Sequence, residues 1–264
     1  EPVYARNCVA TSQPLAAQAG LEMLKKGGNA FDAAVATAMC LTVVEPTSNG
    51  IGADGFAIAW AGGGLHALNA SGRSPALLTT DEIASRFAGE DKIPFYGWGG
   101  VTTPGAVSAW VSLAAEHGTL PMTTLAGPAI RYARDGFLLS PQTAYYWGRG
   151  ASRYPKGELF DAWRDTFTPG GRVPKTGDLV RLPDHADTLQ SIAETNGRSF
   201  YEGELAEKMD AAARAHCADM AAQRQLTHVS EASGTPADRV RTAGVEAQTI
   251  AENVDSCFHF KVPR

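Results

Sequence analysis

The sequence predicts a fold of the α/β (α+β) class, a helix-rich body that carries one small sheet element. Three observations predict it. Residues 9–56 hold two successive apolar helical stretches separated by Gly27-Gly28. Residues 56–69 alternate strand, glycine cluster and strand. Between residues 80 and 222, further helical segments recur, several of them marked by a capping residue, Pro or Gly. A chain of 264 residues, 44% of them apolar and 19% charged, can bury one large core or two small ones.

Each element follows from local chemistry. Ser12 is an N-cap candidate, and Pro14 is preorganised for the first turn of a helix that Lys25, Lys26 and Gly27-Gly28 bring to a stop. Leu15, Ala16, Ala19 and Met23 share one side of it. Asn29 is a second N-cap, and the stretch from Ala30 to Val44 is apolar almost all round, so this helix is expected to be buried on most faces until Pro46 ends it. It is too short and too rich in alanine to span a membrane. Asn49, Gly50, Gly52 and Gly55 then supply a loop whose backbone can approach another closely.

Residues 56–60 and 65–69 read as a hairpin turned by the glycines at 62–64, its first strand apolar enough to be covered on both faces. Thr80 and Asp81 can cap a helix running to Phe87. After an aromatic and glycine loop at 94–100, Pro104 opens a helix over 105–116, and another spans about 124–134 before Gly136. Residues 147–177, rich in Gly, Pro, Arg and aromatics, read as irregular and exposed. Helix returns over 184–194 and from 204 to about 222.

A formal charge of -5 leaves no electrostatic footprint for nucleic acid. Cys8, Cys40, Cys217 and Cys257 lack metal-ligand spacing; Cys40 lies in the apolar helix and reads as core, while the other three can be free or paired, which leaves the compartment open between periplasmic or secreted and cytoplasmic. No signal peptide or transmembrane segment is visible, and the start at Glu1 reads as a processed form or a fragment. No metal site and no cofactor are expected.

Residues 9–41, continued by the stretch Gly-Ile-Gly-Ala-Asp-Gly-Phe-Ala-Ile at 50–58, resemble the large-subunit signature of the γ-glutamyltransferase family, members of the N-terminal-nucleophile hydrolase superfamily. The resemblance continues collinearly through 100–140 and 170–209, and several long motifs in order are far more specific than one short pattern. It implies the helix-rich, incomplete large-subunit part of a four-layer αββα sandwich. It also implies self-cleavage of an inactive precursor, and a partner small subunit whose new N-terminal Thr is the nucleophile. The small-molecule substrate would be a γ-glutamyl amide such as glutathione, with a glutaryl or cephalosporin-type acylase as the alternative.

No catalytic residue is expected on this chain. Thr79-Thr80, Thr102-Thr103 and Thr123-Thr124 all sit where loop or cap roles explain them. For substrate binding the candidates are Asn69, Ser71 and Arg73. In glutamyl-specific relatives the second hairpin strand leads into a Phe-Arg-Glu motif whose Arg holds the substrate carboxylate, and here that position is Ser71. Arg73, two residues on, either reaches the same anion from a shifted backbone or pairs with a surface carboxylate.

Other polar residues have plain readings. His66 alternates within a strand, His117 sits at a helix C-terminus before Gly118, and His185 lies in a first helical turn with no companion ligand. Arg131, Arg134 and Asp135 form a charged helix end, and Phe95, Tyr96, Trp98, Tyr145, Tyr146 and Trp147 read as packing. Residues 1–210 thus form the family-like region. Residues 211–264 resemble a truncated bacterial CAP domain, with His228 and Glu252 at cleft-lining positions; a chimeric or truncated frame, a diverged family segment and a non-catalytic secreted binding module are the readings this tail allows.

Overall fold

The computed structural model describes residues 4–75, 78–93, 102–153, 158–203 and 205–207. Helix α1 (Pro14–Lys25) and helix α2 (Ala30–Val44) form an αα-hairpin. Pro14 opens α1 as expected, but the cap is Gln13, whose side-chain oxygen accepts the N–H of Leu15 and Ala16. The Ser12 hydroxyl instead donates to the Glu45 carboxylate at the far end of α2, so a tertiary bond displaces the predicted cap. Gly20 lets the two helices close: a Cβ there would lie 2.4 Å from Thr37 Oγ1.

Helix α2 is the centre of the core. Asn29 caps it in a capping box with Asp32, and Ala33, Val35, Ala36, Met39, Cys40, Val43 and Val44 are all buried. Burial pushes the Cys40 thiol up to about 12, which makes it a packing residue rather than a nucleophile.

The hairpin is antiparallel, β1 (Gly55–Ala61) against β2 (Gly64–Ala70). Its two-residue turn needs positive φ at both positions, and Gly62 and Gly63 supply +58° and +80°. The expected burial on both faces of β1 is not found among the described residues. Phe56, Ile58 and Trp60 are 68%, 80% and 73% exposed, and Leu65, directly opposite Trp60, is exposed with them. Only the alanine side of β1 is turned inward, toward helix α4 (Ala106–His117).

Helix α3 (Thr80–Arg86) is capped by Thr79, one residue before the predicted cap. Helix α5 (Met122–Asp135) packs on α2 and on helix α8 (Pro183–Glu194), and a two-residue ladder joins β3 (Phe137–Leu138) to β4 (Leu179–Val180).

The stretch 147–177 departs from expectation: helix α6 (Pro141–Arg153) continues through its first part and helix α7 (Glu158–Phe167) follows. Trp147 is buried at 2% exposure and its indole N–H donates to Phe167 O at 2.7 Å, so tertiary packing imposes helix on a sequence of poor local propensity. Tyr145 and Tyr146 remain exposed beside it, while Phe95, Tyr96 and Trp98 lie outside the described residues. Helix α9 (Arg198–Tyr201) closes the described fold; of the helix expected from 204, only 205–207 are described, and the tail 211–264 lies outside.

Candidate functional site

The sequence-derived candidates sit on one loop. Strand β2 delivers Asn69 and Ala70, and the chain then turns through Ser71, Gly72 and Arg73. Asn69 Oδ1 accepts the Ser71 N–H at 3.0 Å, a local Asx turn, and Gly72 adopts φ +78°. Arg73 is exposed, and among the described residues no carboxylate pairs with it.

This loop is pinned to the segment that opens α4. Thr102 Oγ1 donates to Ser71 O at 2.7 Å and Thr103 N–H donates to Arg73 O at 2.9 Å. The two backbones touch at glycines: a Cβ on Gly72 would sit 1.7 Å from Thr103 O, and one on Gly105 would sit 1.9 Å from Ala70 O. The glycine-rich loop before β1 reaches the same place, because Ala53 O accepts the N–H groups of Gly105 and Ala106 at 3.1 and 2.8 Å. The close backbone approach expected of that loop is therefore made, onto a helix N-terminus that has no side-chain cap on its own cap residue, Gly105.

Two contributors are not among the candidates read from the sequence. Tyr201, on α9, donates its phenolic hydrogen to Pro104 O at 2.7 Å and accepts the Ser108 N–H at 3.0 Å. Burial raises its pKa despite the opposing bond from Ser108. Asp32 anchors the other end of α4: it accepts from the Thr119 hydroxyl at 2.7 Å and from the N–H groups of Asn29, Thr119 and Leu120. Burial alone would push that carboxyl up, and these bonds overcome it and leave the pKa lowered.

The histidines keep plain roles. His66 is exposed and bonds Ala61 O at 3.2 Å within the hairpin, and its ring meets His117 edge-on at 4.8 Å. His117 stacks on Phe31 at 4.4 Å. His185 is buried with Nε2 3.1 Å from Thr42 Oγ1; that hydroxyl already donates to Met39 O, so His185 is the donor, and burial lowers its pKa to about 4. Arg131 and Arg134 bridge helices, pairing with Glu22 at 2.6 Å and Asp187 at 2.7 Å.

Thr79 caps α3 as expected of a local hydrogen-bonder, whereas Thr102 bonds a loop 31 residues away. Among the described residues no cluster of three His, Cys, Asp or Glu side chains can hold a metal, and no helix is long and apolar enough to cross a membrane.

Comparison with known proteins gives this arrangement a family. The chain is 34% identical over 207 residues to the glutathione hydrolase-like YwrD proenzyme of Bacillus subtilis, which covers 77% of this chain and 38% of that protein. The solved structure of a cephalosporin acylase from Bacillus halodurans matches with a TM-score of 0.70 at 45% identity, covering 90% of this chain and 44% of that one. The γ-glutamyltranspeptidase of Helicobacter pylori matches with a TM-score of 0.68 at 30% identity, over 78% of this chain and 60% of that one. The chain thus spans less than two thirds of the length of each. The sequence pattern of the γ-glutamyltranspeptidase family matches residues 16–224, and these likenesses identify the fold as that of an N-terminal-nucleophile hydrolase. The chain belongs to the γ-glutamyltranspeptidase family, as a portion of its large subunit.

Proposed function

We propose that this chain is the acyl-donor-binding part of a self-processing enzyme that hydrolyses or transfers amide-linked acyl groups, with γ-glutamyl as the acyl group and residues 1–210 as the working region. The observation that carries the reading is the pinned loop of Asn69, Ser71 and Arg73, which presents a guanidinium with no carboxylate partner among the described residues at the edge of an exposed apolar hairpin face. Phe56 and Asn69 lie directly opposite on that face, so the loop emerges where a further layer of the αββα sandwich would cover the strands.

In this reading a small subunit supplies both the covering layer and the N-terminal Thr. The Thr hydroxyl attacks the amide carbonyl while its own α-amino group takes the proton, the amine leaves with that proton, and water or an acceptor amine then releases the acyl group. Arg73 holds the donor carboxylate by charge-assisted hydrogen bonds. The chain alone is then inactive.

A second reading draws on the family resemblance and on one comparison, without being favoured over the first. Ser71 stands where glutamyl-specific relatives carry the carboxylate-binding Arg, and identity to the cephalosporin acylase is 45% against 30% for the γ-glutamyltranspeptidase. A glutaryl donor is the alternative that follows. Co-expression with the small subunit and comparison of γ-glutamyl with glutaryl anilides decides between them. Aniline release from neither would sink both.

A further inference from the structure

We propose that Tyr201 is a positioning residue for acyl-donor binding, acting through the segment 102–105 on the loop of Asn69, Ser71 and Arg73. The proposal rests on the reading of that loop as the donor site. Its physical basis is a continuous chain of short contacts. Tyr201 donates to Pro104 O at 2.7 Å and accepts from Ser108 N–H at 3.0 Å, so one phenol joins the residue before the α4 cap to the third residue of the helix. The Ser108 N–H is one of the donors a helix start leaves without an intrahelical partner, and Gly105 offers no side chain to satisfy it. Tyr201 therefore caps α4 from 93 residues away.

The next links are equally short. Pro104 lies between Thr103, whose N–H holds Arg73 O at 2.9 Å, and Gly105, whose N–H holds Ala53 O at 3.1 Å. Thr102 holds Ser71 O at 2.7 Å. Because Gly72 and Gly105 are in backbone contact with the opposing strand of chain, the loop cannot shift relative to 102–105 without breaking these bonds. Tyr201 itself has a firm footing. Phe200 beside it is 8% exposed, and Gly197 sits so close to α4 that a Cβ would lie 2.9 Å from Val111 Cγ2. The phenol is thus a strut between a docked helix and the loop that presents Arg73.

The experiment compares wild type, Tyr201→Phe, Thr102→Val and Arg73→Ala in the full-length parent, matured with its small subunit. Tyr201→Phe keeps the ring and removes both hydrogen bonds; Thr102→Val cuts the same chain at its other end and keeps the proposal testable if the first variant matures poorly. Amide hydrogen exchange gives the mechanical readout: in Tyr201→Phe the Thr103 and Gly105 amides should exchange about tenfold faster, with α2 unchanged. Kinetics on γ-glutamyl and glutaryl anilides give the functional one: donor KM should rise about fivefold with kcat within about twofold in both hydrogen-bond variants. Unchanged exchange overturns the proposal. Faster exchange with an unchanged KM also overturns it. If Arg73→Ala raises KM and the other two variants do not, the loop reading stands and Tyr201 is only structural. If no variant, Arg73→Ala included, moves the donor KM, the loop reading itself falls and takes the proposal with it. A drop in kcat with KM unchanged assigns Tyr201 to stability alone.

Discussion

Replacing Asp32 by asparagine should destabilise this chain more than any other isosteric change at a polar side chain in the described fold. The carboxylate is fully buried, with 0% exposure, in the first turn of α2. Its Oδ2 accepts from Asn29 N–H at 2.8 Å and Thr119 Oγ1 at 2.7 Å, Oδ1 accepts from Leu120 N–H at 3.2 Å, and Thr119 N–H is shared between Oδ1 at 3.0 Å and Oδ2 at 3.1 Å. An asparagine can keep its oxygen on the Oδ2 side. Its amide then points two N–H donors at the N–H groups of Thr119 and Leu120, so Leu120 loses its acceptor and Thr119 keeps only its 3.1 Å bond to the remaining oxygen. Each hydrogen bond to a charged group contributes about 1.5–3 kcal/mol, so losing the Leu120 bond, weakening the Thr119 one and removing the charge costs about 2–3 kcal/mol. That is a large part of a total of about 5–15 kcal/mol for a domain.

Urea unfolding followed by circular dichroism measures the loss directly, and its pH dependence supplies an independent check. The folded carboxyl is held below its ordinary value of 3.8, so its contribution is complete above that value and disappears as pH falls through the folded pKa. Wild type should therefore lose stability on that acid limb, and Asp32→Asn should start lower and show a flatter limb. A variant within about 1 kcal/mol of wild type at neutral pH, or an acid limb of unchanged slope, would refute the reasoning.

Two further outcomes follow from the same structure. His185 is buried neutral with its pKa lowered from 6.5 to about 4, so the unfolded chain binds a proton that the folded one refuses; stability should fall as pH drops from about 6.5 towards 4, by up to about 3 kcal/mol, and His185→Gln should remove that slope in urea midpoints taken across the window. Gly72→Ala places a Cβ 1.7 Å from Thr103 O at a residue with φ +78°, so it should force the loop off the 102–105 segment and speed exchange of the Thr103 amide, whereas Gly63→Ala, with open space at its Cβ and only the positive φ to oppose it, should leave that amide unaffected.

Where an element is set by its own neighbours, the sequence displays it. Asn29 and Pro46 bracket α2, and Gly62 and Gly63 announce a turn that only positive φ can make. The misreadings share a cause. Ser12 is a good cap by type, yet its hydroxyl finds Glu45, 33 residues on. A stretch rich in Gly, Pro, Arg and aromatics reads as irregular, yet Trp147 buries itself against Phe167 and holds the segment helical. The candidate site divides the same way. Asn69, Ser71 and Arg73 stand out because they share one short segment that falls in a recognisable motif, but Thr102, 31 residues from the Ser71 it bonds, and Tyr201, 97 residues from the Pro104 it holds, act through bonds that leave no periodicity behind.

The hairpin shows how a failed expectation can carry functional information. Phe56, Ile58 and Trp60 predicted burial on chemical grounds that were sound: three large apolar side chains in alternate positions of one strand do not ordinarily face water. Their opposite numbers Asn69, Ala67 and Leu65 complete a contiguous face, while the alanines of the other side turn towards α4. The composition of β1 is therefore that of an inner strand of a layered fold, with small residues where it meets a helix within this chain and large ones on the face that stands exposed. In the proposed reading the loop of Asn69, Ser71 and Arg73 leaves β2 at the edge of that same face, so a layer that covered Trp60 would also bound the space in front of Arg73. On that reading, binding of the acyl donor and completion of the core are one requirement on one surface, and a substitution such as Ile58→Lys should abolish maturation and donor binding together rather than either alone.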